Sequence, residues 1–436
     1  MLSRADNQLL TRTGPGTGAG AVLRQYWTPA ALTQEINDGN GIVPVELLGE
    51  QLLLFRSRGE NNGGDLGLID RHCPHRGVDL CHARLEADGL RCPFHGWKFA
   101  TDGRCLEQPG EPEGSRAHQK IRTTSYPVVE KNGIVFAYLG EGDPPPLPGF
   151  DCFRAPGSHV FAFKGLWNCN WLQALEVGID PVHASFLHRF LADDDPSEQY
   201  GKQFRDTAAG TTIPITKLLR DYPRPEIGVE ETGFGLRITA LRHMANGQTH
   251  VRITNQIFPI AVTIPMSSEM NITQWHVPVD DHRCYWYALF TSFTAPVDGA
   301  VMRAQRLAEH SLPLYAPKRN AGNDYGFDQA EQDTLTYTGM GPDINVHDQW
   351  ACESPGTIRD RTKEHLGSTD KAITAHRRML MGAIKKLQND ENLPGGAAGL
   401  SGPIAVDAIG ATDQQDEIWR GVDAARRAAC PWDAGL

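Results

Sequence analysis

The sequence has no long apolar run and no excess of basic residues. None of its apolar stretches reaches the roughly 18 residues that a membrane-spanning helix requires, and its amino terminus lacks the apolar core of a secretory signal. Only 42 basic residues stand against 53 acidic ones, giving a net charge of −11, so the totals do not favour a nucleic-acid partner. We therefore expect a cytoplasmic protein that binds neither nucleic acid nor membrane.

Two further absences restrict the cofactors. The nine cysteines are scattered over 436 residues, whereas a disulfide framework is typical of small secreted domains, so buried or metal-bound thiols are favoured. The chain shows neither a G-x-G-x-x-G dinucleotide fingerprint nor the C-x₄-C-x₂-C run of a plant-type ferredoxin. Because no flavin or nicotinamide motif is present, any electrons that the protein uses must come from a separate reductase.

The distribution of turn residues predicts two domains. β-Prone runs dominate the first part, and Asn132 and Gly133 between two of them form a strong hairpin signal because both residues tolerate positive φ. The proline-rich segment 143–149 continues neither a helix nor a central strand, so we place the boundary near residue 150. We expect a β domain over residues 1–150 and a mixed domain over residues 151–436.

The second domain mixes strand and helix patterns, so the predicted fold class is α+β, with an antiparallel sheet flanked by helices. The tail from residue 393 is rich in Gly, Ala and Pro and is predicted to wrap the surface. The predicted strands cover 233–243, 249–259 and 283–294, and the predicted helices cover 296–310 and 370–388.

Two short segments each combine a cysteine with a histidine. The segment C-P-H-R-G contains Cys73 and His75, and C-P-F-H-G-W-K-F contains Cys92 and His95. Two Cys and two His satisfy a tetrahedral zinc site, and they equally satisfy a Rieske [2Fe–2S] cluster, in which two His replace two Cys on one iron. The spacing alone leaves both open. The proline and glycine residues of the two loops closely resemble those of the Rieske family, which favours the [2Fe–2S] cluster.

A second group of candidate ligands lies in residues 170–188, N-W-L-Q-A-L-E-V-G-I-D-P-V-H-A-S-F-L-H, which include His183 and His188. Two His and one carboxylate on one face of Fe(II) activate O₂ in non-haem iron oxygenases. Five positions on an ideal helix correspond to a rotation of about 140°. The two histidines can therefore share a metal only if the helix is broken or bulged between them. Gly178 and Pro181 suggest a break earlier in the segment.

Residues 170–188 resemble the iron-binding helix of the Rieske-type aromatic-ring-hydroxylating oxygenases. The resemblance extends over most of the chain and includes H-D-Q-W-A-C-E-S-P-G-T-I-R-D-R, which is similar to the carboxy-terminal oxygenase segment of phthalate 4,5-dioxygenase-like enzymes. It implies that Asp348 is the third iron ligand. Pro355 stands where the family pattern leads us to expect Met, which affects only the local helix geometry. The rival acids nearby are Asp343, Glu353 and Asp360.

Asp180 has two expected roles. It stands three residues before His183, so its carboxylate could hydrogen-bond the ring and fix its tautomer. In the family that this segment resembles, the aspartate equivalent to Asp180 also contacts a Rieske histidine of a neighbouring subunit, here His95. The resemblance therefore implies a head-to-tail homo-oligomer, either a trimer or a hexamer of stacked trimers.

The resemblance also implies an activity. It indicates the oxygenase subunit of a dioxygenase that carries a Rieske [2Fe–2S] cluster and mononuclear Fe(II). Such a subunit uses O₂ and receives electrons from a separate NADH-dependent reductase with flavin and iron–sulfur groups. The phthalate-like segments suggest cis-dihydroxylation of an aromatic carboxylate such as phthalate.

A carboxylate substrate requires arginines in an otherwise apolar pocket, because guanidinium binds carboxylate bidentately. Arg205 and Arg242 lie where similar enzymes hold phthalate carboxylates, and Arg237 and Arg252 are further candidates in the same half of the chain. Two pocket arginines would favour a benzene dicarboxylate, whereas one would fit a substituted benzoate.

Three alternatives stay open on the sequence alone. Monooxygenation or O-demethylation of an aromatic acid such as a substituted benzoate uses the same iron chemistry, and the motifs do not separate it from dioxygenation. An electron-transfer Rieske protein would need no iron triad in its second domain. A zinc-stabilised binding module would be colourless.

Overall fold

The computed structural model of the chain describes residues 2–59, 64–192, 213–267, 269–395 and 402–433. Its mixture of helices and antiparallel sheets confirms the α+β class. The helices are α1 Arg4–Thr11, α2 Gly18–Leu23, α3 Thr33–Asn37, α4 Asp151–Arg154, α5 Trp171–Gly178, α6 Ile215–Asp221, α7 Gly299–Glu309, α8 Gln329–Thr334, α9 Ile344–Glu353, α10 Lys371–Gln388 and α11 Gln415–Ala429.

The strands up to residue 137 have two to seven residues, and those from residue 160 onward have two to ten. They are β1 Thr28–Leu32, β2 Ile42–Leu47, β3 Glu50–Arg56, β4 Leu66–Asp70, β5 Arg84–Leu85, β6 Leu90–Arg91, β7 Lys98–Phe99, β8 Cys105–Glu107, β9 Ser125–Tyr126, β10 Val128–Lys131, β11 Ile134–Ala137, β12 Val160–Trp167, β13 Glu226–Thr232, β14 Gly235–His243, β15 Gln248–Ile257, β16 Ala261–Pro265, β17 Met270–Pro278, β18 Cys284–Ser292, β19 His310–Ser311, β20 Ala316–Pro317 and β21 Val406–Ala411.

The chain up to residue 137 contains three small antiparallel sheets. Their strand orders are β1-β11-β10, β2-β3-β4-β9 and β5-β6-β7-β8. The predicted hairpin is confirmed, since Asn132 and Gly133 connect β10 to β11 with φ values of 49° and 85°. A separate apolar cluster that includes Leu53, Phe55 and Phe99 packs against the two loops that carry the Cys–His segments. These loops therefore rest on a packed core.

One eight-stranded antiparallel sheet forms the centre of the chain from residue 160 onward. Seven strands follow the order β12-β18-β17-β16-β15-β14-β13, and β21 pairs with β15. The predicted strands and helices are confirmed as β14, β15, β18, α7 and α10, with ends that differ by a few residues. Side chains alternate between the two faces of each strand, so every second residue of β15 and β17 faces one side of the sheet.

The prediction that the tail wraps the surface is wrong. Residues 406–411 form β21 inside the central sheet, and α11 packs on it through an apolar cluster that includes Val406 and Trp419. The strand is only six residues long and follows a stretch rich in glycine and proline, so its composition hid it. Its position brings Asp407 into the interior, where the side chain is fully buried.

The first residues of the chain contact residues that follow the predicted boundary near residue 150. The backbone N–H of Thr13 donates to Asp281 at 2.9 Å, and the side chain of Asn170 donates to the carbonyl of Thr11 at 2.9 Å. The division of the chain near residue 150 stays a prediction. None of the helices in the described part of the chain combines the length and the apolar character that crossing a membrane requires.

A buried ion-pair network fixes α5 to α10. Glu176 on α5 accepts hydrogen bonds from Arg361 at 2.9 Å and from Arg377 at 2.6 Å, and Arg377 also binds Glu364. Burial alone would raise the pKa of Glu176, but Arg361 and Arg377 hold it below its usual value. Two carboxylates thus balance two guanidinium groups beneath the helix that leads to His183.

We expect Glu176→Gln to lower the free energy of unfolding by about 3–5 kcal/mol, because Arg361 and Arg377 would lose a buried countercharge. Glu231→Gln, on the exposed side of β13, is the matched control and should change stability by less than about 0.5 kcal/mol. The measurement is urea unfolding followed by near-ultraviolet circular dichroism. Equal midpoints for the two variants would contradict the role of the network.

Candidate active site

The two Cys–His segments form loops with the same backbone geometry. In each loop the glycine N–H donates to the cysteine carbonyl, from Gly77 to Cys73 at 2.8 Å and from Gly96 to Cys92 at 3.0 Å. The two glycines have φ values of 73° and 76°. Residues with a side chain rarely adopt this conformation, which explains the glycine in both loops.

The loops bring the four predicted cluster ligands together. Cys73 and Cys92 are buried, while the rings of His75 and His95 lie nearer the surface with their centroids 4.5 Å apart. The ring of His75 stacks on Trp97 at 4.3 Å. Burial raises the pKa of the Cys73 thiol to about 11, so binding of a metal there must displace a proton. Two inner sulfurs and two outer imidazoles form a donor set that fits a Rieske cluster.

The predicted break in the 170–188 segment is confirmed. Helix α5 ends at Gly178, and the chain resumes with one short helical turn over 183–185. The rings of His183 and His188 lie with their centroids 5.0 Å apart and their planes at 85°. The short turn ends at Ser185, before His188, so no continuous helix joins the two histidines and both rings can point toward one position.

Asp348 on α9 completes this group. Its Oδ1 lies 3.2 Å from Nε2 of His188 and 3.8 Å from Nε2 of His183. Ligands of one metal at about 2.1 Å lie about 3 Å from one another when they are adjacent. In the described ranges, these three residues are the one set of metal-binding side chains whose ligand atoms all lie within 4.8 Å of one another.

The charge on Asp348 suits a cation. The close approach of His188 lacks hydrogen-bond geometry, so the buried Oδ1 has no hydrogen-bond partner among the described residues. Burial alone would raise the pKa of Asp348, but His188 and His183 hold it below its usual value. An ionised, unpaired carboxylate oxygen beside two imidazoles fits Fe(II) with open coordination positions.

Asp180 acts on His183 through its backbone. The carbonyl oxygen of Asp180 lies 2.5 Å from Nδ1 of His183, while the carboxylate accepts a hydrogen bond from the N–H of Val182 at 2.8 Å. The expected bond between the Asp180 carboxylate and the ring is therefore wrong, because this carboxylate closes the turn around Pro181. The result for the ring is the same, since Nδ1–H donates and Nε2 keeps its lone pair for a metal.

His347 fixes the second histidine and was missed by the sequence analysis. Its Nε2 lies 2.8 Å from the carbonyl of Gly341 and must donate to it, so its Nδ1 is an acceptor. That Nδ1 lies 3.4 Å from Nδ1 of His188, which therefore donates. Burial lowers the pKa of His347 to about 4 and keeps it neutral. The only sequence signal was its position next to Asp348.

An inner cavity of about 130 Å³ adjoins the three candidate ligands. Its wall is mostly apolar and includes Trp167, Phe190, Ile264 and Met266. A cavity of about 150 Å³ with such walls holds one benzene ring. The size and the lining of the inner cavity therefore suit a single aromatic ring beside the metal position.

A wider outer groove of about 820 Å³ shares Val177, Asp180 and His183 with the inner cavity. Aromatic side chains line it and are 37–48% exposed. These side chains are Phe186, Phe327, Tyr337 and Trp350. Asp180 thus lies between the inner cavity and an apolar surface.

The predicted arginines fall in different places. Arg205 lies outside the described residues. Arg242 does not line the inner cavity, contrary to expectation, because its buried guanidinium donates to the carbonyls of Tyr222 at 3.1 Å and Pro181 at 3.2 Å. Burial lowers the pKa of Arg242 to about 10, so it stays charged at neutral pH.

Arg252, one of the further candidates, does line the inner cavity. Its Nη1 donates to Asp407 at 2.5 Å, and its Nη2 donates to the carbonyl of Pro265 at 2.9 Å. Asp407 also contacts Nε2 of His250 at 2.8 Å. The role of Asp407 could not be read from the sequence, because the tail strand that carries it was not predicted.

Comparisons with known proteins agree with these two centres. Residues 26–127 match the family model of the Rieske [2Fe–2S] domain, and residues 138–431 match the model described as LigXa C-terminal domain like. The chain is 33% identical to the phthalate 4,5-dioxygenase oxygenase subunit of Pseudomonas putida, over 91% of this chain and 89% of that protein.

Two further likenesses differ in what they show. The 5,5'-dehydrodivanillate O-demethylase oxygenase subunit of Sphingobium sp. is 31% identical over 90% of this chain and 82% of that protein. The crystal structure of dicamba monooxygenase bound to dicamba aligns with a TM-score of 0.58 over 85% of this chain and 99% of that one. Its identity is 17%, so it shows the fold alone.

We expect Asp348→Ala to remove about one iron per chain and to leave acid-labile sulfide and the visible spectrum unchanged, because the Cys–His loops are separate from α9. Glu353→Gln is the matched control. Glu353 accepts hydrogen bonds from the N–H of Asn168 and from Tyr325, and it should not affect the iron content. Iron lost from the Glu353 variant but retained in the Asp348 variant would reverse the assignment.

Proposed function

Since the chain belongs to the Rieske-type aromatic-ring-hydroxylating oxygenases, we propose that this oxygenase subunit cis-dihydroxylates an aromatic carboxylate, phthalate or a similar benzene dicarboxylate. Oxygenase subunits of this family carry a Rieske cluster and a mononuclear iron. The observation that carries the proposal is a ring-sized apolar cavity lined by His183, His188 and Asp348 and also by Arg252.

Two separate sets of residues would hold the two centres. Cys73, His75, Cys92 and His95 would hold the cluster, and His183, His188 and Asp348 would hold the iron. When bound, these groups supply single electrons and activate O₂ beside the substrate. The protein orients the two iron-binding imidazoles through the carbonyl of Asp180 and through His347, as shown by their Nδ1 contacts.

Electrostatics beside the inner cavity favour an anionic substrate. Arg242 and Arg252 are near enough for their charges to interact, and burial keeps His250 neutral by lowering its pKa. Among the described residues of this cluster, Asp407 is the one carboxylate that balances the two guanidinium groups. Nη1 of Arg242 is buried without a hydrogen-bond partner in the same part of the structure. The cluster thus keeps one positive charge near the cavity for a substrate carboxylate.

The role predicted for Arg205 stays a prediction. In this proposal Arg242 does not line the cavity, and its positive charge contributes through its electrostatic interaction with Arg252. The alternative, monooxygenation or O-demethylation of a substituted benzoate, is favoured by the 31% identity to an O-demethylase subunit over most of both chains. It is also favoured by the inner cavity, where Arg252 is the one arginine among the described residues that line it. Both reactions place an aromatic acid in the same cavity, so they differ in the product.

Exposed surfaces support a partner arrangement between copies of the chain. No residue of the two Cys–His loops lines either the inner cavity or the outer groove. Phe94, beside His95, is 51% exposed, and the outer groove displays exposed aromatic rings around Asp180. We therefore assign the groove to the loops of a second copy, with His95 of the partner subunit facing Asp180. A head-to-tail trimer, or a hexamer of stacked trimers, satisfies this contact in every subunit. A separate NADH-dependent reductase would supply the electrons.

Turnover of phthalate with ¹⁸O₂ and an NADH-dependent reductase tests the reaction. We expect a dihydrodiol that carries two labelled oxygen atoms, measured by mass spectrometry. The Asp348→Ala variant, which should lack the mononuclear iron but keep the cluster, is the control and should form no product. A single labelled atom in the product, or formaldehyde released from methoxybenzoates, would instead establish the alternative.

We expect Asp180→Asn to slow product formation by about 10- to 100-fold while iron and sulfide contents stay unchanged. The measurement is a single turnover in which a pre-reduced cluster is mixed with O₂ and phthalate and its reoxidation is followed in the visible spectrum. Asp324→Asn, at the exposed side of the same groove, is the matched control. Reoxidation at the same rate in both variants would contradict a bridging role for Asp180.

A further inference from the structure

His276 lies in the wall of the inner cavity without a hydrogen-bond partner. It is 1% exposed, and neither of its ring nitrogens is hydrogen-bonded within the described residues. Buried polar groups are nearly always paired, so a partner from outside the described chain is expected. This imidazole is not one of the candidate iron ligands, which are His183, His188 and Asp348.

The position of His276 is fixed by the sheet. Ile272, Gln274 and His276 alternate along β17 and all line the inner cavity. The backbone N–H of His276 donates to the carbonyl of Ile260 at 2.9 Å, and its ring lies 6.1 Å from that of Trp167. The imidazole is therefore held in a rigid wall.

Nε2 of His276 lies beside the last residue of α5, Gly178, which has no side chain to cover it. Gly178 lies opposite, and a Cβ built there would be 3.5 Å from Nε2 and 3.3 Å from Val262. Because glycine has no side chain, this space stays open. Gly178 is the last residue of α5, before the turn that leads to the candidate ligands, and it also lines the cavity.

His276 is a neutral hydrogen-bonding group. Burial lowers its pKa to about 3, although the charge of Asp348 acts to raise the pKa. His276 and Asp348 both line the inner cavity. A neutral imidazole offers one N–H donor and one acceptor, which suits an oxygen atom better than a counter-ion. Charge recognition is left to Arg252, on a different strand.

We propose that His276 is a specificity-determining residue that donates a hydrogen bond to an oxygen atom of a second ring substituent. The substrate class is then an aromatic carboxylate with a further hydroxyl, ether or carboxyl group. The inference rests on the proposed function for the aromatic carboxylate and adds the second substituent. It does not depend on whether one or two oxygen atoms are inserted.

Binding of a matched pair of probes tests this residue without turnover. 3-Methoxybenzoate and 3-ethylbenzoate have the same charge and similar size, and they differ by an ether oxygen in place of a methylene group. Equilibrium dialysis is performed on the full-length protein with both metal centres loaded and no reductase. We expect the wild type to bind the methoxy compound about tenfold more tightly, as one hydrogen bond allows.

Three variants separate a hydrogen bond from a packing role. His276→Phe should abolish the preference and leave binding of 3-ethylbenzoate unchanged, while His276→Gln should retain part of the preference because it keeps an N–H donor. Gly178→Ala retains His276 but adds a methyl group beside Nε2, and it should also reduce the preference. Iron content and the cluster spectrum report whether each variant is folded.

The inference is overturned if wild type binds the two probes equally or binds neither. It is also overturned if His276→Phe retains the preference or weakens both probes alike. Failure of the dioxygenase proposal would appear in the labelled product and not in this preference. If His276→Phe does not fold, the other two variants still decide the question, since both must reduce the preference.

Discussion

The geometry of the candidate iron ligands depends on one interruption of helical structure, between His183 and His188, where a short helical turn ends at Ser185. A continuous helix would turn His183 and His188 away from each other by about 140°, and Asp348 could then approach only one of them. Beyond the short turn over 183–185 the chain is no longer helical, and both Nε2 atoms lie within 4 Å of the same carboxylate oxygen. The ion pairs of Glu176 hold the helix before the break in place, so the interruption is local and the surrounding structure is rigid.

Much of this organisation could be predicted from the sequence because it depends on local chemistry. The glycines of the two Cys–His loops are required by positive φ, and Asn132 and Gly133 form the expected hairpin. The need for a break between His183 and His188 follows from helical geometry alone. Asp348, in contrast, was identified by family resemblance, since a separation of 160 residues carries no geometric information.

The remaining features arise from tertiary packing and had no local signal. The six residues of β21 are too few to stand out from a tail rich in glycine and alanine, and therefore Asp407 and its bond to Arg252 were missed. Arg242 looked like a pocket residue, but its side chain is directed to two backbone carbonyls by the turn that follows α5. His347 became visible only when its ring was found between His188 and Gly341.

The pairing of β21 with β15 also affects the order in which the protein can mature. The first eleven strands end at Ala137. The apolar cluster beneath the Cys–His loops is therefore synthesised long before Asp407 is added. Domains fold largely as they emerge, from the amino terminus onward. The segments that carry the predicted cluster ligands are thus complete early in synthesis, whereas the charge environment of Arg252 is completed only when the late strand joins the central sheet.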